Sequence, residues 1–190
     1  MIGFNIYIEG LDLSELKTYF VNHGRSTQYA KGNYFVKEGE ESRYIAYIEC
    51  GYFNYKVHNS SEGKDYIRGF AFEGEFVGDY PNCLSGKTSK VAIVVGPSCT
   101  VYQLAGEELC NLLDSDGMRD LKLAISDHLF SQVYTQYLDT YRMTTRERYK
   151  RLLLRCPEIV QSINLKDIAS YLKVTPTTIS NIRREITLGL

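Results

Sequence analysis

Glycine divides this 190-residue chain into two regimes. Nine glycines (32, 39, 51, 63, 69, 74, 78, 86 and 96) punctuate residues 32–96, whereas neither glycine nor proline occurs from Met118 to Cys156. Glycine-punctuated segments such as YIAYIE, YFNYKV, YIRGFAF, KVAIVV and TVYQL alternate β-branched or aromatic residues with polar ones. Short, evenly spaced strands of that kind predict an antiparallel sandwich or barrel. NSSEGKD (59–65) reads as a hairpin turn between two of them. A short helix is expected over 12–23, and a long one after Gly117, capped by Ser115 or Asp116.

The long helix carries an apolar row at every fourth position: Leu121, Ile125, Leu129, Val133, Tyr137, Tyr141. A second row holds Phe130, Tyr134 and Leu138. Steps of four advance a stripe by roughly 40° per turn, so the two ends of the row face different directions. The early part is expected to pack on the chain's own β-domain and the later part on the same helix of a second subunit. TTRERYKRLLLRCPEIV (144–160) starts a further helix that ends before Pro157.

At 44% hydrophobic and 24% charged, the composition is that of an ordinary globular protein. No apolar run reaches the ~18–20 residues of a membrane span. MIGFNIYIEGLDLSEL has neither a basic leader nor a cleavage site, and a cytoplasmic setting is expected. The five cysteines (50, 83, 99, 110, 156) form no CxxC or Cys/His spacing, which suits scattered thiols in a reducing compartment. Net charge is −1, but from Arg142 onward ten bases face four acids. A basic tail on an acidic body suits a polyanion-binding module joined to a different domain.

The tail contains IASYLKVTPTTISNIRREI (168–186), two short helices around a tight turn. Ala169 supplies the small residue that two closely crossing helices need. Ile168, Leu172, Val174, Ile179, Ile182 and Ile186 supply the inward face. Thr175 is a good N-cap and Pro176 falls at the first helical position. Lys173 stands where the turn favours glycine for its positive φ. Opposite the isoleucines lie Thr177, Asn181 and Arg184, with Ser180 beside them. Asparagine can pair bidentately with adenine and threonine can touch a thymine methyl, so this face suits a major groove. Lys166, Thr175, Thr178, Arg183 and Arg184 complete the expected DNA-binding set, largely toward phosphates.

A glycine-rich β-domain, a long helix and a C-terminal helix-turn-helix resemble the Crp/Fnr family of bacterial transcription regulators over essentially the whole chain. LKDIASYLKVTPTTISNIRREI carries the strongest likeness, with TTRERYKRLLL and FEGEFVGDYPNCLSGKTSKVAI (72–93), which looks like the family's phosphate-binding cassette. The resemblance implies an α+β architecture. A cupin-like, cyclic-nucleotide-binding-like jelly roll (1–115) would sense an effector, with a dimerisation helix (116–143) and a helix-turn-helix (144–190) following. It also implies a homodimer on double-stranded DNA, with RNA polymerase as a further partner.

Several departures alter these expectations. Gly78 is kept, but the acid is Asp79, and the position of the phosphate-binding arginine falls at Ser89, with Lys90 next. The adenine-reading hydroxyl pair falls at Val133 and Tyr134. Cyclic AMP is therefore not expected to bind, because a buried phosphate would lose its bidentate cation. The expected pocket is bounded by Gly78, Asp79, Ser89 and Tyr134, and its small-molecule effector is left open. The cysteine cluster of oxygen-sensing members is absent, nothing beyond bare His23, His58 and His128 suggests haem, and no cofactor is expected. After the recognition helix only TLGL remains in place of a wing, from which fewer phosphate contacts are expected.

Two other classes match the sequence less well. A metal-dependent cupin enzyme needs clustered ligands, yet only His58 lies in the strand region and no HxH exists. The other is a dimeric ligand-sensing or protein-interaction module whose helix-turn-helix no longer binds DNA.

Overall fold

The structure is a computed structural model that describes residues 4–188. A single 3₁₀ turn (Ile6–Ile8) precedes α1 (Ser14–His23), which in turn leads into β1 (Arg25–Tyr29), β2 (Tyr34–Val36), β3 (Tyr44–Cys50), β4 (Tyr52–Asn59), β5 (Lys64–Phe72) and β6 (Phe76–Val77). Next come α2 (Tyr80–Leu84), β7 (Ala92–Val95), β8 (Cys99–Ala105), α3 (Gly106–Leu113) and α4 (Arg119–Arg142). Four helices complete the described chain: α5 (Thr145–Arg155), α6 (Ile159–Ser162), α7 (Leu165–Tyr171) and α8 (Pro176–Thr187).

The strands form two four-stranded sheets, β1-β8-β3-β6 and β2-β7-β4-β5, all pairs antiparallel. That order, in which every pair of sequence neighbours except the β4–β5 hairpin falls in opposite sheets, is a jelly roll. Inward residues of both sheets, among them Val36, Ile48, Phe53, Ala71, Ile93, Val95 and Val101, make the core between the layers. A second core packs α1, α3 and the first half of α4 against Ile45, Tyr47 and Leu104. The Asn59–Lys64 hairpin closes where the polar turn was expected.

A bulge in β5 organises the third core. Tyr55 faces Gly69 while Lys56 faces Ile67, leaving Arg68 as the extra residue. Strand side chains alternate faces, so the insertion brings Ile67 onto the outer side with Phe70 and Phe72. These three and Phe4 join Tyr149, Leu152, Cys156, Ile159, Ile163, Ile168, Leu172, Ile179 and Ile182 in one cluster. The helical domain therefore docks on the outside of β5, with the Ser170 hydroxyl accepting from the Ile67 amide at 2.9 Å. Phe4 lies edge-on to Phe70 (5.3 Å) and Tyr171 (5.5 Å), bridging both domains.

The N-terminal segment also ties β-domain to α4. Gln132 is buried at 7% exposure, its Oε1 accepting from the Tyr7 amide and its Nε2 donating to Asn5 Oδ1, both at 3.0 Å. Asn5 Nδ2 donates to Glu75 at 2.6 Å, and the Phe72 and Asn5 amides donate to the same carboxylate. His128 Nδ1 donates to the Tyr7 carbonyl at 3.0 Å.

Neither Ser115 nor Asp116 caps α4. The Ser115 hydroxyl donates to the Leu112 carbonyl, and α4 starts at Arg119 with its first amides on the Ser115 carbonyl or beyond. A reciprocal capping box does start α5: Thr144 Oγ1 accepts from the Glu147 amide and Glu147 accepts from the Thr144 amide. The glycine-free run is therefore two helices, broken at Met143.

Along α4 the fourfold row leaves the core as expected from its drift. Ile125 is 5% exposed, then Val133 is 48%, Tyr137 56% and Tyr141 73% exposed. No helix of the described residues is long and apolar enough to cross a membrane. After α8 no further strand occurs among the described residues, and Gly189 and Leu190 of TLGL lie outside them.

Candidate nucleic-acid interface and effector cavity

The helix-turn-helix is α7 and α8. Asn164 caps α7 by accepting from the Asp167 amide at 2.9 Å, and Thr175 caps α8 by accepting from the Thr178 amide at 3.2 Å. Between them Lys173 sits at φ +57°, the left-handed conformation its position demands. The Lys173 and Val174 amides donate to the carbonyls of Ser170 and Ala169, both at 3.0 Å, closing α7 in the manner of a glycine-ended helix. Ile179 (0% exposed) and Ile182 (7%) root α8 in the core.

The opposite face of α8 is open. Thr177, Ser180, Asn181 and Arg184 are all exposed, as are Lys166 and Thr175. Two members of the expected set have internal duties instead. Arg183 is half-buried, donates from Nε to the Tyr149 hydroxyl at 2.7 Å and lies over that ring, so it braces α8 against α5. Thr178 shares its hydroxyl with Thr175 at 2.9 Å.

A cavity of about 780 Å³ separates the β-domain from α4. Phe20, Ile45, Leu109, Ile125 and Leu129 line it, together with Gly78 and Asp79. Gly78 is required on structural grounds: its φ is +147°, a Cβ would collide with Ile45, and its amide donates to the Tyr55 hydroxyl at 3.1 Å. The buried Tyr80 hydroxyl, beside Ser126, lacks a hydrogen-bond partner of good geometry.

Asp79 makes no capping bond to the amides of the short α2, and its carboxylate joins α2 to the 89–90 segment. Its Oδ2 accepts from the Lys90 amide (2.9 Å) and from Asn82 Nδ2 (2.9 Å), with the Ser89 hydroxyl 3.0 Å away. Ser89 is 1% exposed and also lies 2.8 Å from the Val91 carbonyl, while Lys90 is exposed. Ser89 is thus shut behind Asp79 rather than lining the cavity. Tyr134 is 51% exposed and stacks on Phe130 at 5.8 Å, outside the cavity within one chain; Val133 lines it instead.

The open side of α4 shows a pattern that the fourfold row had obscured. Leu123, Asp127, Phe130, Tyr134, Tyr137 and Tyr141 are exposed and follow the alternating four-three spacing of a coiled-coil seam. Tyr137 and Tyr141 pack edge-on at 5.2 Å, with their hydroxyls 3.1 Å apart.

The cysteines are unpaired. Burial pushes the thiols of Cys83, Cys99 and Cys156 up to about 11, opposite to what a reactive or metal-binding thiolate requires. No cluster of three or more metal-ligating side chains occurs among the described residues.

No family model and no curated protein sequence matches the chain. Solved structures do. FixK2 from Bradyrhizobium japonicum matches with a TM-score of 0.71 at 20% identity, over 87% of this chain and 86% of that one. The c-di-GMP-responsive global regulator CLP from Xanthomonas campestris matches at 0.66 and 15% identity, over 94% and 93%. A transcriptional regulator of the Crp/Fnr family from Eubacterium rectale matches at 0.69 and 14% identity, over 98% and 88%. The chain therefore has the fold of Crp/Fnr-type transcription regulators along nearly its whole length.

Proposed function

We propose that this chain is a dimeric, sequence-specific DNA-binding transcription regulator, and not an enzyme. Residues 1–115 would sense an effector, 116–143 dimerise and 144–190 bind DNA. The observation that carries the reading is the outward set Thr177, Ser180, Asn181 and Arg184 on a helix rooted by Ile179 and Ile182. Short polar side chains near the start of α8 can reach base edges, while Arg184, Lys166 and Thr175 flank them for phosphates. The aromatic seam of α4 supports a second copy as its cover, since six exposed positions at heptad spacing match an identical helix. Two recognition helices would then enter successive major grooves about one helical turn apart.

The effector we infer is an uncharged, largely apolar molecule rather than cyclic AMP. Asp79 already holds the Lys90 amide and Asn82, the N–H donors that a cassette would aim at an anion, and no guanidinium accompanies them. A phosphate entering there would meet a carboxylate before it met a cation. RNA polymerase remains a partner that the regulator reading implies.

Fluorescence anisotropy of labelled genomic fragments tests the DNA reading. Retention at low salt that weakens steeply toward about 0.3 M supports it. Absence of binding even at low salt would favour the rival reading, a sensing or interaction module that has left DNA.

A further inference from the structure

A second cavity, of about 320 Å³, lies at the junction of β5, the C-terminal half of α4, α5 and α7. Five cationic side chains line it, Arg68, Arg148, Arg151, Arg155 and Lys173, against one acid, Asp139. Asp139 is spent on Arg151 at 2.6 Å. Among the described residues no hydrogen-bond partner is found for the buried Nε atoms of Arg148 and Arg155, although Arg148 Nη2 reaches Thr145 Oγ1 at 3.5 Å. Arg68, the extra residue of the β5 bulge, reaches only the neutral Gln136 at 2.8 Å. Arg155 also lies over the Phe4 ring at 4.9 Å and attracts the Glu75 carboxylate, while Arg68 and Lys173 are exposed. Among the described residues only Arg151 of the five is ion-paired, and such an excess of cations in a concave site is what an anion would relieve.

We propose that this junction binds a small phosphorylated molecule, whose phosphate oxygens take the unpaired guanidinium donors. Guanidinium forks match phosphate oxygens bidentately. Tyr171 and Leu172 supply an apolar wall, so a nucleotide satisfies both halves of the site. Because Arg68 belongs to the β-domain and Arg148, Arg151 and Arg155 to α5, the bound anion clamps the two domains to each other. Occupancy then sets how freely the helix-turn-helix leaves its dock on β5. The proposal does not depend on the DNA reading or on the effector cavity.

Calorimetric titration of the full chain, with no DNA present, tests it using inorganic phosphate, ADP and adenosine. ADP binding at one site per chain is expected, with phosphate weaker and adenosine silent. R148Q/R151Q, and separately Arg68→Gln from the facing wall, should each weaken ADP roughly tenfold or more. The Arg68 variant keeps every α5 side chain, so it reads the site even if the double variant folds poorly. Failure of both phosphate and ADP to bind, or ADP affinity unchanged in Arg68→Gln, would overturn the assignment. Equal binding of adenosine and ADP would overturn it too, since the cations would then contribute nothing.

Discussion

Two exposed helix faces of this molecule could hardly differ more. The open side of α4 shows Phe130, Tyr134, Tyr137 and Tyr141, large rings with nothing over them in one chain. The open side of α8 shows Thr177, Ser180, Asn181 and Arg184. Water tolerates the second face without cost, whereas the first is a contiguous apolar stripe that burial would stabilise. Exposure alone therefore says little; the chemistry of what is exposed names the cover, a second copy for α4 and a polyanion for α8.

The largest effect should come from charging the aromatic face. Phe130→Asp with Tyr134→Asp is expected to weaken self-association by at least about 3 kcal/mol, roughly a hundredfold, by analytical ultracentrifugation. A dimer that survived unchanged would remove α4 as the interface. On the other face, Asn181→Ala should cost ~1–3 kcal/mol on a selected site and relax choice at one base pair. Arg184→Ala should weaken all duplexes more evenly and lower the salt slope by about one. If the two variants behaved alike, the division of α8 into base-reading and phosphate-holding residues would fail.

A smaller, opposite-signed effect is expected in the turn that presents α8. Lys173 occupies φ +57°, so Lys173→Gly should raise stability by up to about 1 kcal/mol in urea melts. The smallest effect is a slope rather than an offset. Burial raises the Glu75 carboxyl above its ordinary value, although the Phe72 and Asn5 donors and Arg155 pull it back. A raised folded-state value means that the folded protein holds the proton longer than the unfolded chain. The associated stability is full below the ordinary glutamate range and declines as pH rises through the raised value. Glu75→Gln should flatten that decline; an identical pH profile in the variant would show that Glu75 does not titrate with folding.

Much of this contrast was legible in the sequence. Glycine punctuation with alternating apolar residues announced an antiparallel sandwich or barrel, which the family resemblance narrowed to a jelly roll, and the Thr-Pro start of α8 with its isoleucine spacing announced the helix-turn-helix. The drift of the fourfold row foretold that α4 would leave the core. What stayed hidden had physical reasons. β2 and β6 are three and two residues long, too short for a period to register. The heptad seam was masked because residues on the four-three spacing and the fourfold row share Tyr137 and Tyr141. Ser89 and Asp79 were visible as residues, but their mutual closure depends on a side-chain rotation that no spacing encodes. The β5 bulge is the clearest case: one unpaired residue at Arg68 turns Ile67 outward, creates the dock for the helical domain and aims a cation into the junction.

The measurement that bears most directly on the central claim is selection of bound duplexes from a random pool by the full-length chain. Enrichment of a palindrome with half-sites about one helical turn apart is predicted, its strength reduced at one position per half-site by Asn181→Ala. A pool that returns no shared sequence, or a single non-repeated motif, would contradict the account of α8 as a groove-reading helix paired through α4.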